Sequence, residues 1–216
     1  MTGYRKIDLE TWPRATHWDY YRNTVKAATS MTKKLDVTKL VNYCHKNKKR
    51  FSAVLLYVIC KAVNSMECMR MFALPDGSPA VWDRVHPNYT IFHEDDETFS
   101  DVWMEYDPDM DTFLQTFESV IAEYGNKKGI KVRDNQPANF FCISGIPWIS
   151  YDSFMTYTSG DRPPMLFPVL NYGKYKEENG RMMMPFSITI SHAAMDGYHE
   201  AKYFAVLQEI MSREVI

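Results

Sequence analysis

The chain has 216 residues, 45% of them hydrophobic and 14% aromatic, with 25 Lys and Arg against 27 Asp and Glu. This is enough for one substantial core, expected as a single domain over residues 1–216, and the near-neutral balance excludes a dominant nucleic-acid-binding face. No apolar run reaches membrane-spanning length, and the N-terminus lacks a basic-then-apolar leader pattern, so a cytoplasmic protein without a membrane partner is expected.

In chain order, residues 14–26 carry Trp18, Tyr21 and Val25 at helical spacing. A second helix is expected over 36–46, where cap-type residues precede Leu40, Val41 and Cys44 on one face. The basic run from Lys46 to Arg50 follows it and reads as a solvated helix end. Residues 51–66 form a long apolar segment, expected as a buried helix. Short aromatic and β-branched runs over 69–72, 80–83, 89–94 and 99–106 then read as strands. Helical spacing returns at Phe113, Phe117, Ile121 and Tyr124. Further strands are expected over 139–144, 153–158, 166–173 and 182–190, and an amphipathic helix over 197–211. The pattern gives an α/β fold: a two-layer sandwich of a mixed sheet flanked by helices rather than a regular βαβ repeat.

Cys44, Cys60, Cys68 and Cys142 lie in apolar contexts without CxxC spacing and are expected to be reduced. His17, His45, His86 and His93 are scattered, and His192 and His199 are not at a common ligand spacing, so no metal site is expected.

The most informative stretch runs from Ile190 to His199. On a strand, Met184, Phe186, Ile188, Ile190 and His192 share one parity, so His192 emerges from an apolar face at the strand end. Ser187, Thr189 and Ser191 face the other way. An imidazole with an ordinary pKa is largely neutral near pH 7, as a general base requires. Asp196, four residues on and followed by Gly197, could in principle reach the ring as a triad acid.

Several segments together resemble the type A chloramphenicol acetyltransferase family. They are Trp12-Pro13-Arg14, Tyr20-Tyr21-Arg22, Leu35-Asp36-Val37-Thr38, Met69-Arg70-Met71, Val81-Trp82-Asp83 and Tyr89-Thr90-Ile91-Phe92-His93. Glu97-Thr98-Phe99-Ser100, Ile143-Ser144-Gly145-Ile146-Pro147-Trp148 and the His192 segment complete the set. Each is weak alone; their order and spacing from about Ile7 to the last helix are specific.

The resemblance implies direct acetyl transfer from acetyl-CoA, a co-substrate rather than a permanently bound cofactor, to a small-molecule hydroxyl. His192 matches the family's base and Ser144 the serine that stabilises the oxyanion. It makes Asp196 the partner of Arg14 in a supporting ion pair instead of a triad acid. Trp148, Tyr175 and Lys174 match positions near the coenzyme A channel. A homotrimer is implied, with sites at subunit interfaces. Dihydrolipoyl acyltransferase cores share His-x-x-x-Asp-Gly on this fold, but no lipoyl domain or linker precedes the core in this sequence.

Departures from the family concentrate where the acceptor is expected, around Tyr21, Thr29, Phe99, Asp101, Phe154, Thr156 and Asn171. Thr29, Thr156 and Thr158 stand where the family has apolar residues, Asp101 replaces a small one, and Asn171 replaces a Thr that helps to orient water. The acceptor is accordingly chloramphenicol, a related hydroxylated compound or a different one. A non-catalytic small-molecule-binding homologue is the remaining alternative, and intact His192, Ser144 and Arg14 weigh against it.

Overall fold

The structure is a computed structural model that describes residues 3–156 and 164–213. Its main sheet has seven strands. Six run in the order β2 (Ala28–Asp36), β10 (Arg181–Ser191), β8 (Val169–Gly173), β7 (Phe140–Ile146), β5 (His86–His93), β6 (Thr98–Trp103), and β9 (Lys176–Glu178) pairs with the start of β10. The β5–β7 and β7–β8 pairs are parallel and the others antiparallel. β1 (Tyr4–Lys6), β3 (Met71–Ala73) and β4 (Pro79–Trp82) form a separate antiparallel sheet in the order β1-β4-β3.

One face of the main sheet is apolar because alternate residues of its strands are. Ile188 pairs with Leu170, and Leu170 with Ile143, so these three share that face. Against it pack α3 (Phe51–Asn64), α4 (Met110–Tyr124) and α5 (Gly197–Ser212), with α2 (Thr38–Asn47) beside α3 and α5. Phe186 of β10 meets Tyr203 and Phe204 of α5 at ring-centroid separations of 6.3 and 6.2 Å. All three rings are fully buried, and emptying such a site costs about 3–5 kcal/mol per ring.

The opposite face is polar. Thr32, Ser187, Asn171, Ser144, Thr90 and Asp101 lie in one row across six strands. The segment after β7 covers part of this row: the Tyr151 hydroxyl donates to the Asn171 carbonyl at 2.9 Å, and Phe154 N donates to Thr32 Oγ1 at 3.4 Å. β10 is therefore buried on both faces, apolar toward the helices and hydroxyl-bearing away from them.

Several expected elements differ. The first helix is α1 (Ala15–Asp19), continued by a wide π turn over Tyr20–Thr24, and it stops short of residue 26, where the chain takes φ of 52°. Residues 28–36, not expected as a strand, form β2; its polar composition suits an edge strand facing the polar side of the sheet. Residues 67–70 form a 3₁₀ turn before β3 instead of a strand. No strand occupies 153–156, because this stretch spends its polar groups on the sheet it covers, and the rest of the expected 153–158 strand, including Thr158, lies outside the described residues. The first and ninth strands were also not anticipated. All four cysteines are free, and burial pushes the Cys60 thiol well up. Among the described residues no helix is long and apolar enough to cross a membrane, and no group of side chains could hold a metal ion.

Candidate active site

His192 follows the last residue of β10, and its position is fixed at both ends of the peptide unit. Its N–H donates to the Ala27 carbonyl at 2.9 Å, and its own carbonyl accepts from Arg14 Nη2 at 3.2 Å. The imidazole stacks on Tyr21, with ring centroids 3.8 Å apart and planes 9° from parallel. The π turn after α1 carries Tyr21 to this place. His192 Nδ1 is buried and has no hydrogen-bond partner among the described residues.

Asp196 does not serve the ring. One carboxylate oxygen pairs with Arg14, and the other accepts from His199 Nδ1 at 2.7 Å and from the amides of Tyr198 and His199 at the start of α5. Burial pushes this carboxyl up, but the bonds and charges of His199 and Arg14 outweigh it and hold the group well below the usual carboxylate range. The contribution of the ionised pair to stability thus persists through mildly acid pH and is lost only as pH falls past that depressed value. Arg14 joins the base's backbone to the helix cap, so the ion pair shapes the site. Arg14→Ala and Asp196→Ala should each lower stability and activity. In a double-mutant cycle on thermal or denaturant unfolding the two should couple by about 0.5–3 kcal/mol. Strict additivity would show that they do not act together.

Ser144 lies in the middle of β7, with its Oγ 2.9 Å from Thr90 Oγ1. The adjacent Gly145 is required by packing: a Cβ there would stand 2.6 Å from the Tyr172 hydroxyl. Beside it, a cavity of about 170 Å³ runs between α3, α4 and the sheet, with Arg50, Ser52, Thr90, Gly145 and Tyr172 on its walls. Near its Arg50 end, the Phe51 ring meets Tyr175 at 5.1 Å. Lys174 is exposed next to Tyr175. Trp148 is 59% exposed and packs edge-on against Phe92 at 4.6 Å.

Within one chain His192 and Ser144 are far apart. Ser144 is beside Asn171 and Asn171 beside Ser187, five residues before His192. At roughly 3.3 Å per residue and 4.8 Å per strand, their Cα atoms are roughly 19 Å apart. They also leave opposite faces of the sheet.

The expected acceptor residues fall into two groups. Asn171, Thr156 and Asp101 lie on the polar face with Ser144. Thr156 Oγ1 donates to Asn171 Oδ1 at 3.4 Å, and Asn88 Nδ2 donates to Asp101 Oδ2 at 3.4 Å. Burial pushes the Asp101 carboxyl up, against the bond from Asn88 and the charge of Lys131. Phe99, 50% exposed, and Phe154 are at the surface nearby. Tyr21 and Thr29 belong instead with His192. Thr29 pairs with Ile190 on the helix side of the sheet, and its Oγ1 donates to Glu200 Oε1 at 2.8 Å.

Sequence reasoning missed four residues here. Thr90 and Gly145 flank Ser144, Arg50 was read as part of a solvated run, and Glu200 was passed over although it falls at helical spacing with Tyr203, Phe204, Leu207 and Met211.

A chloramphenicol acetyltransferase family model matches residues 2–208. The chain is 36% identical over 206 residues to a chloramphenicol acetyltransferase of Streptomyces acrimycini, covering 95% of this chain and 93% of the relative. It is 32% identical over 213 residues to chloramphenicol acetyltransferase 3 of Escherichia coli, covering 99% of each. A solved chloramphenicol acetyltransferase structure superposes with a TM-score of 0.84 at 22% identity, over 97% of this chain and 100% of that one, which shows the shared fold. On the family match and these full-length identities, the chain belongs to the chloramphenicol acetyltransferase family.

Proposed function

We propose that the protein, as a single domain over residues 1–216, is an acetyl-CoA-dependent O-acetyltransferase that acts on a small-molecule hydroxyl, with chloramphenicol as the leading acceptor. The observation that carries this reading is the fixed imidazole of His192, stacked on Tyr21 and held through its backbone by Arg14, in a chain of this family.

A neutral hydroxyl is a poor nucleophile. His192 takes its proton, at Nε2 since Nδ1 is buried, as the oxygen attacks the thioester carbonyl. The carbonyl oxygen becomes an oxyanion, and Ser144 donates its hydroxyl hydrogen to it. Thr90 suits this step: if its own hydroxyl donates to Ser144 Oγ, the Ser144 hydrogen is free for the oxyanion. When the intermediate collapses, the coenzyme A sulfur leaves and the proton on His192 goes to it. No acyl-enzyme forms, so juxtaposing both substrates supplies much of the acceleration.

The separation of His192 and Ser144 supports a site built by two copies of the chain, His192 from one facing Ser144 of the next in a homotrimer. For acetyl-CoA, Tyr175 with Phe51 offers an aromatic shelf for the adenine, Trp148 a further apolar wall, and Lys174 and Arg50 cations for the phosphates. A cytoplasmic location fits a consumer of acetyl-CoA.

On the acceptor side, Tyr21, Phe99 and Phe154 are apolar walls, and Asp101, Thr156 and Asn171 make the rest more polar. That polarity favours a second reading, a more hydroxylated acceptor than chloramphenicol. Chloramphenicol should be acetylated with a kcat/KM at least about tenfold below that of E. coli chloramphenicol acetyltransferase 3, since each lost apolar contact costs about 1–3 kcal/mol in discrimination. Thiol release with saturating acetyl-CoA, chloramphenicol and a panel of hydroxylated compounds tests this. Equal kcat/KM values for the two proteins would show that the polar residues do not disfavour the antibiotic. Absence of turnover with every acceptor would contradict the enzymatic reading.

A further inference from the structure

Glu200 is a glutamate with 2% of its surface exposed, in the first turn of α5, a helix that packs against β2 and β10. A buried carboxylate is costly unless something compensates its charge. Thr29 does so in part, donating a hydrogen bond of 2.8 Å, and a protonated His192 ring pulls the Glu200 carboxyl down.

The register explains this proximity. Thr29 is opposite Ile190, Ala28 is opposite Ser191, and Ala27 accepts from the His192 amide. Thr29 and Ile190 share the helix-side face, the face from which His192 emerges. The Thr29–Glu200 bond therefore anchors the carboxylate on that side, next to the strand end that carries the base. Asp196, the other nearby carboxylate, is committed to Arg14, His199 and the helix cap.

We propose that Glu200 is a positioning residue for the transfer reaction: its carboxylate, held by Thr29, is the counter-charge that stabilises His192 when the imidazole has taken the acceptor's proton. This rests on His192 as the general base. The ring becomes cationic in the transition state, and a fixed, desolvated anion on the same face of the sheet favours that form without reorganising. The titratable groups that act on Glu200 are His192, from the end of β10, and Asp196, from its own helix; β2 contributes the Thr29 hydroxyl. Burial pushes the Glu200 carboxyl up, Thr29 and His192 pull it down, and the Asp196 charge adds to the rise.

Glu200→Gln keeps the shape and can still accept from Thr29, but it removes the charge. In the full-length assembled protein, the acid limb of kcat/KM against pH should move down by about one pH unit, with a plateau about tenfold lower. KM for acetyl-CoA should stay unchanged. Glu200→Asp, which retains the charge, should keep its acid limb near that of the unsubstituted protein. A purely structural role would lower activity without moving the limb, and that result, or no change at all, would overturn the proposal. NMR of histidine-labelled protein reads the same coupling without turnover: the His192 ring signal should titrate at lower pH in Glu200→Gln. An unmoved signal would overturn the proposal even if activity fell. Because this second readout needs no catalysis, failure of His192 as the base, seen as full turnover in His192→Ala, is a separate result.

Discussion

Replacing His192 by Ala is expected to lower kcat by at least about 10²–10⁴ while leaving the fold and acetyl-CoA binding in place. The ring contributes little to the fold. Its contact in the structure is the stack on Tyr21, an interaction of about 0.5–1.5 kcal/mol. The ties that hold this part of the chain run through the backbone of residue 192, to Ala27 and Arg14, and survive truncation of the side chain. The groups proposed for coenzyme A follow β7 and β8 or lie at the start of α3, away from the ring in the same chain. Thiol release gives kcat, and calorimetry with acetyl-CoA gives the retained affinity. Turnover near that of the unsubstituted protein would rule out His192 as the base.

Ser144→Ala should lower kcat by about 10²–10³, with little change in either KM. The hydroxyl is placed to meet charge that exists only once the acceptor oxygen has attacked, so its loss affects the transition state and not the bound substrates. Thr90 does not replace it, being one strand further from β8 and holding Ser144 from the side. The replaced side chain is half-buried in a polar row, so unfolding by denaturant should shift only slightly. A raised KM at unchanged kcat would assign Ser144 to binding instead.

The elements that position the base were legible because burial leaves a periodic record. From Phe186 to Ser191 β10 alternates apolar and hydroxyl-bearing residues, α3 is apolar on nearly all sides, and α4 and α5 carry apolar stripes that the core requires. β2 was not legible: six of the nine residues of Ala28–Asp36 are polar and the apolar ones do not alternate, since its outward face joins a hydroxyl row and it pairs with β10 on one side. The β9–β10 hairpin had a signal that went unused. Asn179 and Gly180 form its two-residue turn at φ of 53° and 75°, the conformation that Asn-Gly favours. Residues 153–156 misled because aromatic and β-branched residues also serve to lid a sheet.

At the site, pattern and resemblance singled out His192, Ser144, Arg14 and Asp196, and the structure brings Arg14 and Asp196 together at the His192 turn. The role of Thr29 was not legible. A threonine beside an acceptor pocket reads as a ligand contact until the strand's register turns it toward the helix layer. Glu200 was hidden by its type, because an acidic residue near a helix N-terminus is ordinarily solvated and favoured there by the dipole. Its place on the buried stripe of α5 was the available clue.

The central claim is that one reacting centre is made by two copies of the chain, His192 from one and Ser144 from the next. Complementation tests it directly. His192→Ala and Ser144→Ala proteins are unfolded together in equal amounts, refolded into mixed assemblies, and assayed for thiol release with acetyl-CoA and acceptor. In a cyclic trimer, an intact site forms wherever a chain that retains His192 faces one that retains Ser144. Random mixing should then restore about a quarter of the activity of the unsubstituted protein. If the mixture stays at the level of the two variants refolded separately, the site is not shared between copies and the account is wrong.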